Sequence, residues 1–336
     1  MFQTEIVLFI QSFASDFWTF FFKFWTEIGS SRWTVILVLT ILFGISFRAG
    51  YILAHAVLWS GLITLYLKEL FAVPRPANVD LNVKLLGKSF PNPSHFDSMG
   101  AKGFFEWLPR DVVEALRANP VDSWGFPSGH TSTAMTFGSS IFMFFKLTWV
   151  RVIALVLIVF IPFSRMYLGR HFLADILGGY FIGFITFLIF YNLAFKSQWF
   201  KDFFVGKLEL KLLDWKTLLL LFYFLVLPFL LLFVPHVEHE GIGIFLGLNL
   251  GFLFLWIRGI PKDSGKIMHR VARVLIALVL YFGVDFLLEK GSHIIITGEA
   301  GVVEFIRRVL TIILLIWGST EISIKLGFFK REVSVP

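Results

Sequence analysis

The chain has 336 residues, 57% of them hydrophobic, 18% aromatic and only 16% charged, with 43 phenylalanines and 11 tryptophans. Soluble domains carry roughly 25% charged residues, so this composition excludes an ordinary soluble fold and implies a multi-spanning membrane protein. The net charge is +7 and cysteine is absent, which rules out disulfides, a thiolate nucleophile and a cysteine-ligated metal.

Ten apolar segments follow in chain order, near residues 6–29, 33–48, 51–70, 129–147, 151–164, 173–195, 217–234, 241–257, 272–288 and 303–322. Several reach the ~18–20 apolar residues needed to cross a bilayer. The first carries Asp16, Lys23 and Glu27, and a charge near the bilayer centre costs about 2.5–3.5 kcal/mol. With Trp18, Trp25 and many phenylalanines, it reads as an amphipathic helix lying in the interface. The expected fold is therefore an all-α membrane protein with about nine transmembrane helices plus an N-terminal interfacial helix. The opening MFQTEIVLF lacks the basic start and small-residue cleavage site of a signal peptide.

Basic residues orient these segments. If residues 71–128 face outward, the inward connections hold Arg48, Lys146, Arg151, Lys196, Lys201, Lys207, Lys211, Lys216 and the Arg258–Arg273 cluster. The outward turn HVEHEG (236–241) is acidic instead, while the tail adds Lys325, Lys330 and Arg331. This asymmetry satisfies the positive-inside rule and places the C-terminus in the cytoplasm. The positive charge thus marks a cytoplasmic face rather than a nucleic-acid partner. The expected organisation is a core bundle over 1–195 with an outer-side loop 77–126, a cytoplasmic linker 196–216, and additional transmembrane helices over 217–336.

Three polar clusters interrupt the first bundle, all on the outward side. The first is KELFAVPRP, with Lys68 at a helix end and Arg75-Pro76 after it; the second is Pro127-Ser128-Gly129-His130, which opens the next helix. The third holds Ser164, Arg165, His171 and Asp175. Lysine and arginine supply charge and donors for phosphate oxygens. A Ser-Gly at a helix start offers free backbone N–H groups and the positive end of the helix dipole. His171 and Asp175 are four apart and share a helix face, so the carboxylate can hold one imidazole nitrogen as N–H and leave the other as a nucleophile. His130 can protonate a leaving oxygen. Taken singly, Lys68 and Arg75 also fit snorkelling residues at a helix end, and His171 with Asp175 fits a simple i,i+4 pair.

Together the clusters resemble the signature K-x6-R-P, P-S-G-H, S-R-x5-H-x3-D of the type 2 phosphatidate phosphatase (lipid phosphate phosphatase) superfamily, matching all eleven fixed positions. The resemblance covers roughly residues 5–195. It implies a helical-bundle core and a phosphohistidine intermediate, with His171 as nucleophile, Asp175 as its orienting partner and His130 as general acid. Lys68, Arg75, Ser128, Gly129 and Arg165 are similar to the family's phosphate cradle; Ser164 matches the motif without a derived role. No metal and no other cofactor is implied. The four apolar segments beyond the core give a layout similar to sphingosine-1-phosphate phosphatases, a branch that carries PSTH where this chain has PSGH.

The implied activity is dephosphorylation of a membrane lipid phosphate, such as phosphatidate, phosphatidylglycerol phosphate, isoprenyl pyrophosphate or a sphingoid-base phosphate, with the lipid entering from the bilayer. Transfer of the phosphate to a lipid or sugar acceptor, a sugar-phosphate substrate and a non-enzymatic transporter are the alternatives. Loop 77–126 is the expected contributor to head-group choice, with Trp107, Arg110 and Trp124 near the mouth; those three equally fit interfacial anchors. Pro93-Ser94-His95 reads as a turn, His236 and His239 as a solvated turn rather than a metal site, and Asp285 and Glu289 as lining a second polar pocket or lying at the interface.

Overall fold

The computed structural model describes residues 1–87, 94–119, 123–204, 214–263, 265–295 and 300–331. Pro93, Lys207 and Lys211, and with them parts of loop 77–126 and of the linker 196–216, lie outside the described residues. All ten apolar segments contain helix, and 75% of the described residues are helical, so the protein is an all-α, multi-pass membrane protein.

Segment 6–29 is not one helix. It breaks into α1 (Thr4–Gln11) and α2 (Asp16–Ile28) because Ser15 caps α2 by accepting the Trp18 N–H. Next come α3 (Ser31–Leu39), α4 (Phe47–Phe71), the short α5 (Pro76–Val79) and α6 (Arg110–Ala118). They are followed by α7 (Gly129–Phe144), α8 (Thr148–Tyr167), α9 (Leu173–Phe195) and α10 (Gln198–Phe204). The C-terminal part holds α11 (Trp215–Leu221), α12 (Leu227–Leu231), α13 (His239–Arg258), α14 (Ile267–Ile295), α15 (Ala300–Ile313) and α16 (Ser319–Lys325).

Among the described residues five helices are long and apolar enough to cross a membrane: Phe47–Val79, Thr148–Tyr167, Leu173–Phe195, His239–Arg258 and Ile267–Gly291. A sixth arises if Asp16–Ile28 and Ser31–Ile45, bent by 53°, form one span. The sequence expectation of nine is larger because it takes in shorter helices. At 16 residues, α7 rises only about 24 Å against a hydrocarbon core of roughly 30 Å.

The chain divides into two units, Met1–Thr34 with Trp59–Ile189, and Val35–Leu58 with Phe190–Pro336. In the first unit α1, α2 and α7 pack on α8. Helix α9 meets α7 backbone to backbone. A Cβ on Gly179 would lie 2.6 Å from the Ser128 carbonyl, and one on Gly183 would lie 2.4 Å from the Ser132 carbonyl. This small-residue pair at i,i+4 permits the close helix crossing, and Thr136 Oγ1 donates to Gly183 O across it at 3.0 Å. Under the loop region Phe172 is fully buried among Phe2, Val73, Val79 and Val112.

In the second unit α13 packs on α15 by the same device, with Gly243, Gly247 and Gly251 facing Phe305, Ile312 and Ile316. Two arginines on α15 meet carboxylates of other helices: Arg308 pairs with Glu240 at 2.7 Å and Asp285 at 3.0 Å, and Arg307 with Asp285 at 3.1 Å. Asp285 is therefore the centre of an ion-pair network. Residues 261–262 and 330–331 add a two-residue antiparallel pair.

Candidate active site

All the sequence-predicted site residues lie in the first unit, at the ends of α4, α7, α8 and α9 or, for Arg75 and His171, in the turns beside them. Lys68, in the last turn of α4, is buried and donates from Nζ to the Trp124 and Gly125 carbonyls at 2.6 and 3.0 Å. These backbone acceptors tie the end of α4 to the segment that leads into α7. Arg75 precedes α5, and Ser123 grips it twice, the backbone carbonyl accepting from Nε at 3.0 Å and Oγ from Nη2 at 2.9 Å.

Ser128 caps α7 and is fully buried; its N–H donates to the Asp175 carbonyl at 2.9 Å, joining the second motif to the third. Thr131 donates to Ser128 Oγ at 3.0 Å. A Cβ built on Gly129 would meet only Thr64 Cγ2, at 3.8 Å. Packing therefore does not require glycine there. Gly125 is different, since its Cβ would crowd the Pro74 carbonyl at 3.0 Å and Asp175 Oδ2 at 3.1 Å.

His171 lies in the turn between α8 and α9, with Nδ1 3.1 Å from Asp175 Oδ2, and both residues are buried. Asp175 Oδ2 also accepts the Phe172 N–H at 2.9 Å. An oxygen that accepts from a backbone N–H offers Nδ1 another lone pair, so Nδ1 carries the ring proton and Nε2 keeps its lone pair. Burial, followed by the positive charges of Lys68, Arg75 and Arg165, pushes the His171 imidazole well below the usual histidine value. The ring is therefore neutral at pH 7. His130, second residue of α7, is near enough to add to this effect, and its ring edge faces Gly29 of α2.

Arg165 is buried at the end of α8 and donates from Nη1 to Thr26 Oγ1 at 2.8 Å. Its Nε, and Asp175 Oδ1, are buried with no hydrogen-bond partner among the described residues. Buried polar atoms are ordinarily satisfied, so an orphaned arginine donor beside a helix start fits an anion that completes the site.

Several supporting residues carry no sequence signal. Ser123, Trp124 and Gly125 act through backbone atoms or one short hydroxyl. Gln11 of α1 uses its whole amide, donating to the Lys84 and Tyr167 carbonyls at 2.7 and 3.0 Å and accepting the Lys84 N–H at 3.0 Å. That clasp holds the turn that leads to His171. Gly169 in the same turn has φ of +72° and sits where a Cβ would be 2.4 Å from the Lys84 carbonyl. Of the loop residues expected at the mouth, Trp124 is buried, Trp107 packs edge-on against Phe2, and Arg110 is exposed and pairs with Glu114.

Basic groups at helix ends, a helix N-terminus and a buried His-Asp pair come together in the first unit. Residues 48–199 match the family model described as the PAP2 superfamily. That match covers less than half of the chain, and over it the chain is similar to this superfamily. The crystal structure of Aquifex aeolicus LpxE is similar with a TM-score of 0.44 and 23% identity, covering 57% of this chain and 96% of that one. No curated protein matches the chain.

Proposed function

We propose that the protein hydrolyses a phosphate monoester borne by a membrane lipid, through a phosphohistidine on His171. The observation that carries this reading is the buried His171–Asp175 pair, with its Nε2 lone pair free, beside an orphaned Arg165 donor. Nε2 attacks phosphorus, the P–N bond forms, and the P–O bond to the lipid breaks as His130 protonates the leaving oxygen. Water, deprotonated by His130, then attacks phosphorus and releases inorganic phosphate, which restores His171. Lys68, Arg75, Arg165, Ser128 and Gly129 hold the phosphate oxygens through charge and helix-start N–H groups. The acyl chain stays in the bilayer while the head group reaches the site. The site lies on the outer side and the C-terminus in the cytoplasm, and 1–195 is the catalytic bundle. About nine spans, with the shorter apolar helices included, complete the topology.

The test is release of free phosphate by detergent-purified protein from a panel of lipid and sugar phosphates, with chelator present and His171→Ala alongside. Chelator-resistant release that the variant loses, largest for one lipid, is the expected result. Equal phosphate release by both proteins would sink the reading.

A further inference from the structure

The scheme above gives no part to Ser164 or to the last turn of α2. Ser164 is fully buried; its Oγ lies 2.6 Å from the Ile161 carbonyl and 3.0 Å from Thr26 Oγ1. The same Thr26 oxygen lies 2.8 Å from Arg165 Nη1. Donor and acceptor roles order this chain. A carbonyl can only accept, and the Ser164 hydroxyl is the donor both to Ile161 O and, across to α2, to Thr26 Oγ1. Thr26 Oγ1 thus accepts from both Ser164 Oγ and Arg165 Nη1, its lone pairs turned toward the two donors. The guanidinium has donors only, and this is the orientation that satisfies it.

Packing brings the hydroxyl there. Gly29, three residues after Thr26, has no Cβ, and one would lie 2.6 Å from Ile161 Cγ2 and 3.3 Å from His130 Cδ2. Helix α2 thus approaches α8 more closely than a side chain at position 29 permits. Because the guanidinium is a rigid planar fork, anchoring Nη1 restricts where the unpartnered Nε can lie.

We infer that Thr26 is a positioning residue, oriented by Ser164, which holds the Arg165 guanidinium so that Nε meets a substrate phosphate oxygen. This rests on the phosphate-cradle reading of Arg165, and it adds a residue N-terminal to every position of the signature.

The experiment uses the full-length protein in detergent, with kcat/KM on the best substrate and orthovanadate binding read as a shift in unfolding temperature. Thr26→Val keeps the shape without the hydroxyl and is expected to lower kcat/KM and vanadate affinity by about tenfold, the worth of one charge-assisted hydrogen bond. Thr26→Ser keeps the hydroxyl and should stay within about threefold of the parent, while Ser164→Ala, which frees Thr26 to rotate, should lose roughly threefold to tenfold. In an Arg165→Lys background Thr26→Val should add less than about threefold, because both changes break one interaction. Additive losses would overturn the inference, as would a Ser variant as impaired as the Val variant or a Val variant equal to the parent. Vanadate binding needs no turnover, so a parent protein that binds vanadate without releasing phosphate refutes the hydrolase alone. A parent that does not bind vanadate refutes the positioning role too.

Discussion

Asp175 Oδ2 lies 3.1 Å from His171 Nδ1 and also accepts the Phe172 N–H, so one oxygen holds both the imidazole and the turn that carries it. The carboxylate therefore fixes which nitrogen is protonated as well as where the ring points. Asp175→Asn keeps the volume but can present an N–H to Nδ1, favouring the tautomer that protonates Nε2. The expected loss in kcat is about 10²–10⁴-fold, by analogy with other orienting carboxylates, at near-parental Tm. A variant within threefold of the parent would remove Asp175 from the mechanism.

The same neighbourhood makes a pH prediction. His171 is held neutral first by burial and then by Lys68 and Arg75. Because its value is depressed, protonation of the nucleophile comes only well below the ordinary histidine range of about 6.5. The acid limb of kcat/KM that belongs to His171 therefore lies below that range. Arg75→Met removes a positive charge, makes the imidazolium less costly and should move that limb to higher pH on the same substrate. An unmoved limb, or one shifted to lower pH, would show that Arg75 does not act on His171.

Much of the site was legible because its chemistry sits in charged and imidazole side chains at helix ends, where an apolar chain has little other reason to place them. Lys68, Arg75, His130, Arg165, His171 and Asp175 all fall in that class. What holds them was not legible. Lys68 is gripped by two backbone carbonyls, Arg75 by Ser123, and Arg165 by the hydroxyl of Thr26, none of which alters a hydropathy pattern. In segment 6–29 the charges suggest an amphipathic helix, yet amphipathicity says which face is apolar and not what covers the other. The polar faces of α1 and α2 supply Gln11, Thr19 and Thr26 to the end of α8. In α15, Arg307 and Arg308 were absorbed into an apolar run, because the carboxylates that neutralise them come partly from α13 and α14.

Two glycines distinguish a binding role from a packing role. Gly129 has room for a methyl group, 3.8 Å from its nearest neighbour, whereas Gly179 would press one to 2.6 Å from the Ser128 carbonyl and 2.7 Å from Thr131 Cβ. Gly129→Ala should leave Tm unchanged or slightly raised, since alanine favours helix by about 1 kcal/mol, while phosphate access falls and kcat/KM drops at least about tenfold. Gly179→Ala should lower stability by roughly 1–3 kcal/mol through overpacking, with activity falling alongside it. Paired Tm and kcat/KM measurements separate the two. Full activity in Gly129→Ala would mean that no phosphate oxygen approaches the start of α7.

The arginine network of the second unit makes the last prediction. Arg308 is 12% exposed at its side chain and meets Glu240, Asp285 and Glu304 at 2.7, 3.0 and 2.8 Å, so it ties α13, α14 and α15 through one guanidinium. Removing one member of such a cluster leaves carboxylates partly buried and uncompensated, a loss of about 3–5 kcal/mol when burial is complete. Here Glu240 is 45% exposed and Asp285 22%, so solvent offsets part of that penalty and roughly 2–3 kcal/mol is expected for Arg308→Met. Asp285→Asn should cost as much, since both arginines lose their shared acceptor. Because the two residues interact directly, the double variant should be milder than the sum of the single ones. Thermal unfolding of the four proteins decides this: additive shifts in Tm would show that Arg308 and Asp285 stabilise the helices independently of each other.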